Sequence, residues 1–540
     1  MYERVILRTL SNKYGLGAQK AAVVLLVDIL EDPSIVPNPD DIPEALDRIV
    51  QAYLQAHGDG SHILEHGLLQ EVIDSLLRKN AVHASLDAPG VRVAGGMAGD
   101  IGAYFKTMDA FEIPKWEYRA DQKHFVRVQE HLHAFGPART LTTSFRDRFD
   151  LIKQKTLRCE KYSPMSLSLG NRNKTKITSI KNLIGRSGER FTLLGMLTRM
   201  EEGKHHLEDP DGYVELELDE NIRYGPGLFT ETLFVIVEGT LVTNQKFRAA
   251  SIELPPCEDR DKTLSAYGNN VDFFGNGSDT EDKASLLNIE RSLDDVFFVI
   301  LSDLHLDQPR VTAKFREILH GYSEATFPLA FILLGNFSST AYLFNGKDPQ
   351  KYKENWNTFC DLVCEFPEVA RSCHFVFVPG PHDPWSPDVL PRPKIPDTFT
   401  ERVRARIPKA VFMSNPCRIK YCSQEIVVFR EDLINKLKRN SITRSVDETE
   451  LTLQNQVVRS IIHQSHLCPL PRNVQPTLWA FDHALRIYPS PHLVVLADSF
   501  DKYAETYDGC QVVNPGSFPS MFGFSVYNPS TYLVEESSVE

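Results

Sequence analysis

A strand-to-loop junction at residues 298–307, FVILSDLHLD, carries an aspartate and a histidine two residues apart. Four apolar residues, Phe298 to Leu301, run into Asp303 and His305. A short apolar run of this kind predicts a buried strand, so we expect the carboxylate and the imidazole on the loop at its end. Carboxylate oxygens and imidazole nitrogens are ligands for divalent metal ions. The spacing therefore indicates a metal-ligand arrangement, either a working site or the remnant of one.

Four later segments repeat this plan of an apolar strand followed by a polar or Gly/Pro loop. They are LAFILLGNFS (329–338), HFVFVPGPHD (374–383), HLVVLADSF (492–500) and CQVVNPGSF (510–518). Helical segments lie between several of them, so the pattern predicts an α/β architecture. The carboxyl ends of strands in such a sheet converge where ligands bind.

The polar residues at these strand ends resemble those of the calcineurin-like metallophosphoesterases. That family carries the motifs D-x-H, G-D, G-N-H-[DE], a single His and G-H-x-H, and binds two metal ions. By this resemblance Asp303, His305 and His382 are retained, and Asp383 follows His382 as in the family. Asn336 stands where the family has the Asp that bridges the metals. An amide offers one oxygen but no negative charge.

Other positions of the pattern have changed. Pro381 stands at a ligand Asn, and Asp498 and Phe500 stand at the two His of the last motif. His466 or His463 is the candidate for the single His. The remaining ligands are too few for two cations that lie about 3.5–4 Å apart and repel each other.

The resemblance thus implies a phosphoesterase domain at 291–540 with a degraded metal site, no catalytic residue and no cofactor. Two alternatives stay open, an active Mn²⁺-dependent phosphodiesterase and a single weakly held cation.

Composition describes an ordinary globular chain of 540 residues, 42% hydrophobic and 24% charged, long enough for several domains. Its net charge of −13 argues against a protein that holds nucleic acid through phosphates. The nine Cys form no C-x-x-C and predict reduced, structural thiols. The N-terminus lacks a signal-peptide pattern and the early apolar runs are too short to span a bilayer, so we expect an intracellular protein without membrane contact.

Residues 1–80 predict a helical N-terminal domain. In DIPEALDRIVQAYLQ, Asp41 and Glu44 have the capping-box spacing at a helix start. An apolar face follows, formed by Leu46, Ile49, Val50 and Tyr53. Residues 81–175 predict a linker and a mixed connecting segment.

Residues 176–256 contain short apolar strands with Gly at the bends, which predicts a β-barrel of the oligonucleotide/oligosaccharide-binding (OB) type. In YVELELDE (213–220) apolar and acidic residues alternate, so one face of this strand is acidic and should repel phosphates. A single-stranded DNA-binding barrel stays as a third hypothesis. Residues 257–290, polar and rich in Gly, Asn and Asp, predict a flexible linker.

An OB-type barrel followed by a degraded phosphoesterase domain is the arrangement of the B-subunit family of eukaryotic replicative DNA polymerases. GNFSS (335–339), FVFVPGPHDPW (375–385), NPCRIKYCSQEIVVFREDL (415–433) and VVNPGSFP (512–519) are similar to that family, and most of all to its DNA polymerase epsilon members. The predicted fold is therefore multidomain, α+β and α/β.

This second resemblance implies a nuclear, non-catalytic accessory subunit. It implies binding to the C-terminal zinc-binding region of the polymerase catalytic subunit, and a tether from the N-terminal domain to the replicative helicase through the GINS complex. Small histone-fold subunits belong to the same implied complex, and DNA is contacted only indirectly or weakly.

Overall fold

A computed structural model of the protein describes scattered residues before position 101 and most of the chain after it. The described residues are 17–19, 22–23, 25–26, 50, 63–64, 69, 101–129, 132–163, 175–267, 271–275, 283–343, 348–385, 388–442 and 451–539. The chain divides into two compact units, Met1–Ile101 and Gly102–Glu540.

In the first unit, strands β1 (Gly17–Ala18) and β2 (Ile63–Leu64) pair in parallel. The described helical positions are buried or half-buried and include Ala22, Leu26 and Leu69. Most of the helices predicted for residues 1–80, with the capping box at Asp41 and Glu44, lie outside the described residues.

The second unit begins with strands that the sequence had suggested only in part. They are β3 (Phe105–Asp109), β4 (Trp116–Arg119) and β5 (His124–Arg127). β4 and β5 form an antiparallel hairpin, whereas β3 joins a sheet built mainly from the C-terminal half of the chain. The segment 81–175 is therefore more than a connection, because one of its strands belongs to that later sheet.

A closed barrel follows. Its strands are β6 (Ile177–Thr178), β7 (Arg190–Glu201), β8 (Lys204–Asp209), β9 (Gly212–Glu217), β10 (Arg223–Tyr224), β11 (Phe234–Leu241) and β12 (Phe247–Glu253). The order β12-β11-β7-β8-β9 is closed by a parallel pairing of β9 with β12. Alternating residues of these strands fill the barrel interior, among them Leu193, Leu207, Val235 and Phe247. Closure satisfies the backbone groups that a sheet edge leaves unpaired.

Two six-stranded sheets form the rest of the unit. The first has the order β16-β15-β14-β13-β22-β23 and the second the order β20-β21-β19-β18-β17-β3. Their strands are β13 (Phe298–Ser302), β14 (Ala330–Leu334), β15 (His374–Val378), β16 (Ala410–Phe412), β17 (Cys417–Tyr421), β18 (Gln424–Arg430), β19 (Leu493–Ala497), β20 (Tyr503–Tyr507), β21 (Cys510–Asn514), β22 (Gly523–Asn528) and β23 (Leu533–Ser538).

The described helices of this unit are α1 (Ala138–Arg158), α2 (Arg260–Tyr267), α3 (Lys283–Ser292), α4 (Pro309–Glu324), α5 (Asp348–Cys364), α6 (Pro367–Ser372), α7 (Asp397–Arg406), α8 (Leu433–Asn440), α9 (Leu453–Gln464) and α10 (Phe518–Met521). Short 3-10 helices lie at Ile101–Tyr104, Ile180–Leu183 and Trp479–Leu485. Among the described helices, none combines the length and the apolar character that crossing a bilayer requires.

The two sheets pack face to face and helices cover their outer faces. Phe298 of β13 contacts Phe105 of β3 and Tyr421 of β17, with ring centroids 6.0 and 5.6 Å apart. On the outer face of the first sheet, residues of α4, α5 and α7 share one core with alternate residues of β13–β15. Residues of α8 and α9 cover the second sheet in the same way. Both faces of the strands are buried, which explains their continuous apolar sequences.

The described residues of the segment predicted as a flexible linker, 257–290, include helix α2, most of helix α3 and several buried side chains. Phe274 is 4% exposed, and Arg418 donates a 2.6 Å hydrogen bond to the carbonyl oxygen of Phe273. Glu290 in α3 accepts hydrogen bonds from Ser423 Oγ at 2.6 Å and Gln424 Nε2 at 2.8 Å. These hydrogen bonds attach described residues of the segment to the second sheet.

Helix α1 joins the barrel to the two sheets. Lys155 is 3% exposed and donates to the carbonyl oxygen of His463 at 2.7 Å and to Ser465 Oγ at 3.0 Å. These acceptors lie at the C-terminal end of α9, where unpaired carbonyls favour a cation. Arg148, about two turns earlier on α1, is ion-paired with the buried Asp482. The helix is thus fixed by charged contacts at two points.

We expect Gly239→Ala to destabilise the barrel. A Cβ at this bulge in β11 would overlap the Arg248 carbonyl oxygen and lie 2.7 Å from Cε1 of the buried Phe247. Overpacking of this kind costs roughly 1–3 kcal/mol. Urea unfolding of the full chain measures the effect. Gly212→Ala in β9 is the control, because its Cβ would meet only Ile180 at 3.9 Å. Equal midpoints for the two variants would contradict the prediction.

Candidate functional site

The candidate site lies where β13, β14 and β15 end side by side. These strands are parallel and in register, with Ser302 opposite Leu334 and Leu334 opposite Val378. The loops after them therefore start at one level, and they carry Asp303, Asn336 and the pair His382–Asp383. Asp303 has φ +61°, a left-handed conformation that Asp adopts more readily than most residues.

The carboxylate of Asp303 is buried, and one of its two oxygens accepts all of its hydrogen bonds. Its Oδ1 accepts from the backbone N of Asn336 at 2.9 Å and from Asn336 Nδ2 at 3.1 Å. The same oxygen accepts from Arg430 Nε at 3.2 Å and Nη2 at 2.8 Å. Arg430 ends β18, so this ion pair connects the first sheet to the second.

Arg430 is held in its charged form. Burial disfavours the guanidinium, but the carboxylates of Asp303 and Asp432 outweigh it, and the pKa of Arg430 is raised above its ordinary value. Nη1 donates to Asp432 Oδ1 at 2.8 Å. Sequence reasoning missed Arg430. The available signal was an arginine at the end of the apolar strand EIVVFR, because such a strand places its last side chain at the sheet edge.

Asn336 is oriented by its neighbours. Its amide nitrogen points to Asp303, and its Oδ1 accepts from the backbone N of His382 at 2.8 Å. A bridging ligand must direct oxygen towards the metals, whereas this side chain presents a donor to the adjacent carboxylate. The residue at the bridging position therefore organises the loop after β15.

Asp383 has a structural role. It accepts from the backbone N of Phe337 at 3.0 Å, from Tyr352 Oη at 3.0 Å and from the backbone N of Gly380 at 2.8 Å. Burial raises the pKa of Asp383 to about 6, although these hydrogen bonds oppose the shift. A Cβ at Gly335 would overlap its carboxylate, which is why the tight loop after β14 needs glycine.

Asp498 follows β19 in the second sheet and holds the start of a helix. Its Oδ2 accepts from the backbone N of Ile434 in α8 at 3.0 Å, and its Oδ1 from the backbone N of Phe500 at 2.9 Å. Burial raises the pKa of this carboxyl group. Carboxylates stabilise the first turn of a helix by accepting its unpaired N–H groups.

The two histidines proposed for the single-His position are engaged elsewhere. His463 Nδ1 lies 2.6 Å from the carbonyl oxygen of Pro255, and its Nε2 lies 2.7 Å from Tyr507 Oη. His466 Nδ1 accepts from the backbone N of Cys468 at 3.1 Å. His463 thus links α9 to the end of the barrel and to the second sheet, whereas His466 holds the loop after α9.

His305 and His382 are half-buried beside Asp303, and the Nδ1 atom of each ring has no hydrogen-bond partner among the described residues. Burial lowers the pKa of His305, which favours a neutral ring. Searched over the described residues, His, Cys, Asp and Glu side chains form no group of three or more that could hold a metal ion. The donor set does not fit the two metal ions that the phosphoesterase pattern implies.

The acidic strand face predicted for the barrel is charge-paired. Glu215 on β9 accepts from Lys246 Nζ at 2.6 Å, just before the adjoining β12, and Glu217 accepts from Arg248 Nε in β12 at 2.9 Å. The sequence showed the acids but not that the barrel closes between these two strands. The basic side chains that a bound strand of DNA would use are therefore already occupied on this face.

Comparison with known proteins gives a consistent set of matches. The family model for the B subunits of DNA polymerases alpha and epsilon matches residues 298–505. The model for the OB-fold domain of DNA polymerase epsilon subunit 2-like proteins matches residues 138–256. The barrel is therefore an OB-fold.

DNA polymerase epsilon subunit 2 of Homo sapiens is 41% identical over 81% of this chain and 84% of its own length. The Bos taurus protein of that name is 36% identical over 100% of this chain and 99% of its own length. The DNA polymerase epsilon B subunit of Arabidopsis thaliana is 37% identical over 80% of this chain and 82% of its own length. A solved archaeal phosphodiesterase covers 45% of the chain with a TM-score of 0.26 and 9% identity, a likeness too weak to identify the fold.

We expect His463 to make the protein less stable in acid. Burial lowers its pKa to about 4, against about 6.5 in an unfolded chain. The unfolded state therefore binds the proton first, and stability falls as the pH drops from 6.5 towards 4. Between pH 7 and 5 this histidine should account for a loss of about 2 kcal/mol.

Urea unfolding of the wild type and His463→Gln at both pH values tests this. The variant should lose less stability on acidification. His320→Gln is the control, since that ring is 61% exposed. Equal acid sensitivity of His463→Gln and the wild type would contradict the prediction.

Proposed function

The chain belongs to the family of DNA polymerase epsilon subunit 2, and from this premise we propose that it is a non-catalytic accessory subunit of DNA polymerase epsilon. The observation that carries the proposal is the full-length similarity to the Bos taurus protein, which spans 100% of this chain and 99% of that one. A match of that extent includes both the barrel and the two-sheet domain.

The finer assignments follow the family resemblance. We propose that the barrel and the two-sheet domain bind the C-terminal zinc-binding region of the catalytic subunit. The N-terminal unit, Met1–Ile101, is proposed to link the polymerase to the replicative helicase through the GINS complex. The same nuclear complex would include small histone-fold subunits.

The proposal of a non-catalytic role is supported by the chemistry of the strand ends. Asp303 is engaged by Arg430, Asn336 replaces a bridging carboxylate, and Pro381 offers no ligand atom. Without metal ions to bind phosphate oxygens and activate water, His382 has no charged reaction centre to assist. The carboxylates of Asp383 and Asp498 are hydrogen-bond acceptors that hold loops.

A single-stranded DNA-binding role for the barrel is less favoured. Such barrels use a positive groove with aromatic side chains on which bases stack. Here Lys246 and Arg248 pair with carboxylates, and the aromatic residues Phe191 and Phe234 are buried at 6% and 4% exposure. We propose a protein-binding barrel.

Co-expression with the catalytic subunit of DNA polymerase epsilon tests the assembly. We expect the two chains to elute together at a one-to-one ratio in size-exclusion chromatography. A catalytic subunit that lacks its C-terminal region is the control and should not co-elute. Deletion of residues 1–101 should keep the catalytic subunit bound and abolish capture of GINS. Separate elution of the full-length chains would refute the proposal.

Hydrolysis of bis(p-nitrophenyl) phosphate in Mn²⁺ tests the alternative. We expect the full chain to release no more product than the matched Asp303→Ala and His382→Ala variants. Metal-dependent release that both substitutions abolish would establish the phosphodiesterase instead.

A further inference from the structure

The ion pair between Arg430 and Asp303 has features of a built site. Arg430 is 0% exposed and Asp303 is 3% exposed. The guanidinium directs two N–H groups to Asp303 and a third to Asp432. A buried carboxylate needs a compensating positive charge or hydrogen-bond donors, because moving an unpaired charge out of water is very costly.

The position of the guanidinium is set by its backbone as well. Asn415 Oδ1 accepts from the backbone N of Arg430 at 3.1 Å, and Asn415 Nδ2 donates to the Arg430 carbonyl oxygen at 2.7 Å. The same Nδ2 donates to the carbonyl oxygen of Pro379 at 2.9 Å. Asn415 thus ties the end of β18 to the end of β15, and the arginine side chain starts from a fixed point.

We infer that Arg430 is the permanent cation of this site: its guanidinium takes the place of a divalent metal ion at Asp303, excludes one, and joins the ends of the two sheets. This rests on the proposed function, because a catalytic phosphoesterase would need Asp303 for its metal. The guanidinium and a metal ion at the same buried carboxylate would be two positive charges a few Å apart, and their repulsion makes the binding of one exclude the other.

The orientation of Asn336 supports this assignment independently. Its amide nitrogen donates to the oxygen of Asp303 that Arg430 also contacts, and its amide oxygen is used by the backbone N of His382. A metal ion at Asp303 would face N–H groups from both neighbours. Donors arranged around an anion stabilise that anion and repel a cation.

The first experiment is a titration of the full chain with MnCl₂, followed by calorimetry and by the melting temperature. We expect neither bound Mn²⁺ nor a shift of the melting temperature with Mn²⁺ or with EDTA. Binding of Mn²⁺ to the wild type that Asp303→Ala removes would overturn the inference.

The second experiment removes the charges singly and together. We expect Arg430→Met to lower the melting temperature by about 5 °C or more, because it leaves Asp303 buried and unpaired. Asp303→Asn/Arg430→Met should recover part of that loss, since neither charge remains. Arg402→Met is the control, because Arg402 pairs with Asp361 at the surface, with side-chain exposures of 44% and 51%. An Arg430→Met variant as stable as this control would overturn the inference.

The third variant, Asn336→Asp/Arg430→Met, restores the bridging carboxylate and removes the competing cation. Its melting temperature should rise with Mn²⁺ while that of the wild type does not. No Mn²⁺ response in a folded double variant would count against mutual exclusion.

Failure of the inference is separable from failure of the proposed function. If the wild type binds Mn²⁺ and hydrolyses phosphodiesters, both the inference and the proposed function are refuted. Wild-type Mn²⁺ binding without hydrolysis, in a chain that co-elutes with the catalytic subunit, would remove only the inference.

Discussion

The burial of Asp303 is the constraint on which the two-sheet domain depends. Its position at the end of β13 is fixed by the strand, and its 3% exposure leaves water little access. The charge therefore has to be balanced from within the protein. Arg430, in the other sheet, supplies a positive charge, and Asn336, at the neighbouring strand end, supplies N–H donors. Because Asp303 and its two partners lie at the ends of three different strands, one buried carboxylate aligns the ends of both sheets.

The same use of charge fixes the barrel to this domain. Lys155 of α1 contacts the end of α9, and Arg148 pairs with Asp482. Buried ion pairs add little net stability compared with apolar packing, but they are intolerant of displacement, since a shifted partner leaves a charge unpaired. They therefore specify how the elements meet. Apolar contacts accompany these charged ones, since Phe149 of α1 shares a hydrophobic cluster with Leu194 and Phe234 of the barrel.

The strand ends of the two-sheet domain and the existence of a barrel were predictable, because apolar runs that end in Gly, Pro or Asp indicate buried strands. The pairing of strands that lie far apart in the sequence was not predictable. Strand β3 joins β17 across some 300 residues of sequence, a distance at which local pattern carries no information on partners. Within the segment predicted as a linker, 257–290, the contacts of Phe273 and Glu290 with the second sheet were equally hidden, because polar residues look like a linker until their partners are known. Arg430 was missed for the same reason, since the family pattern directs attention to residues that bind metals and not to one that replaces them.

Asp303, Asp383 and Asp498 are of a residue type that binds metal ions, yet the burial of each is explained here by hydrogen bonding. A carboxylate has several lone pairs, so a residue type suited to metal ions is equally suited to accept N–H groups from converging loops. At a sheet edge, where several loops begin together, such acceptors hold them in place. A subunit that works by binding other proteins needs loops of fixed shape, and residues inherited from a metal site meet that need once an internal cation replaces the metal. The motif can therefore be present without the activity. The cation beside Asp303 distinguishes the two kinds of site, a metal ion in an active phosphoesterase and Arg430 in this protein.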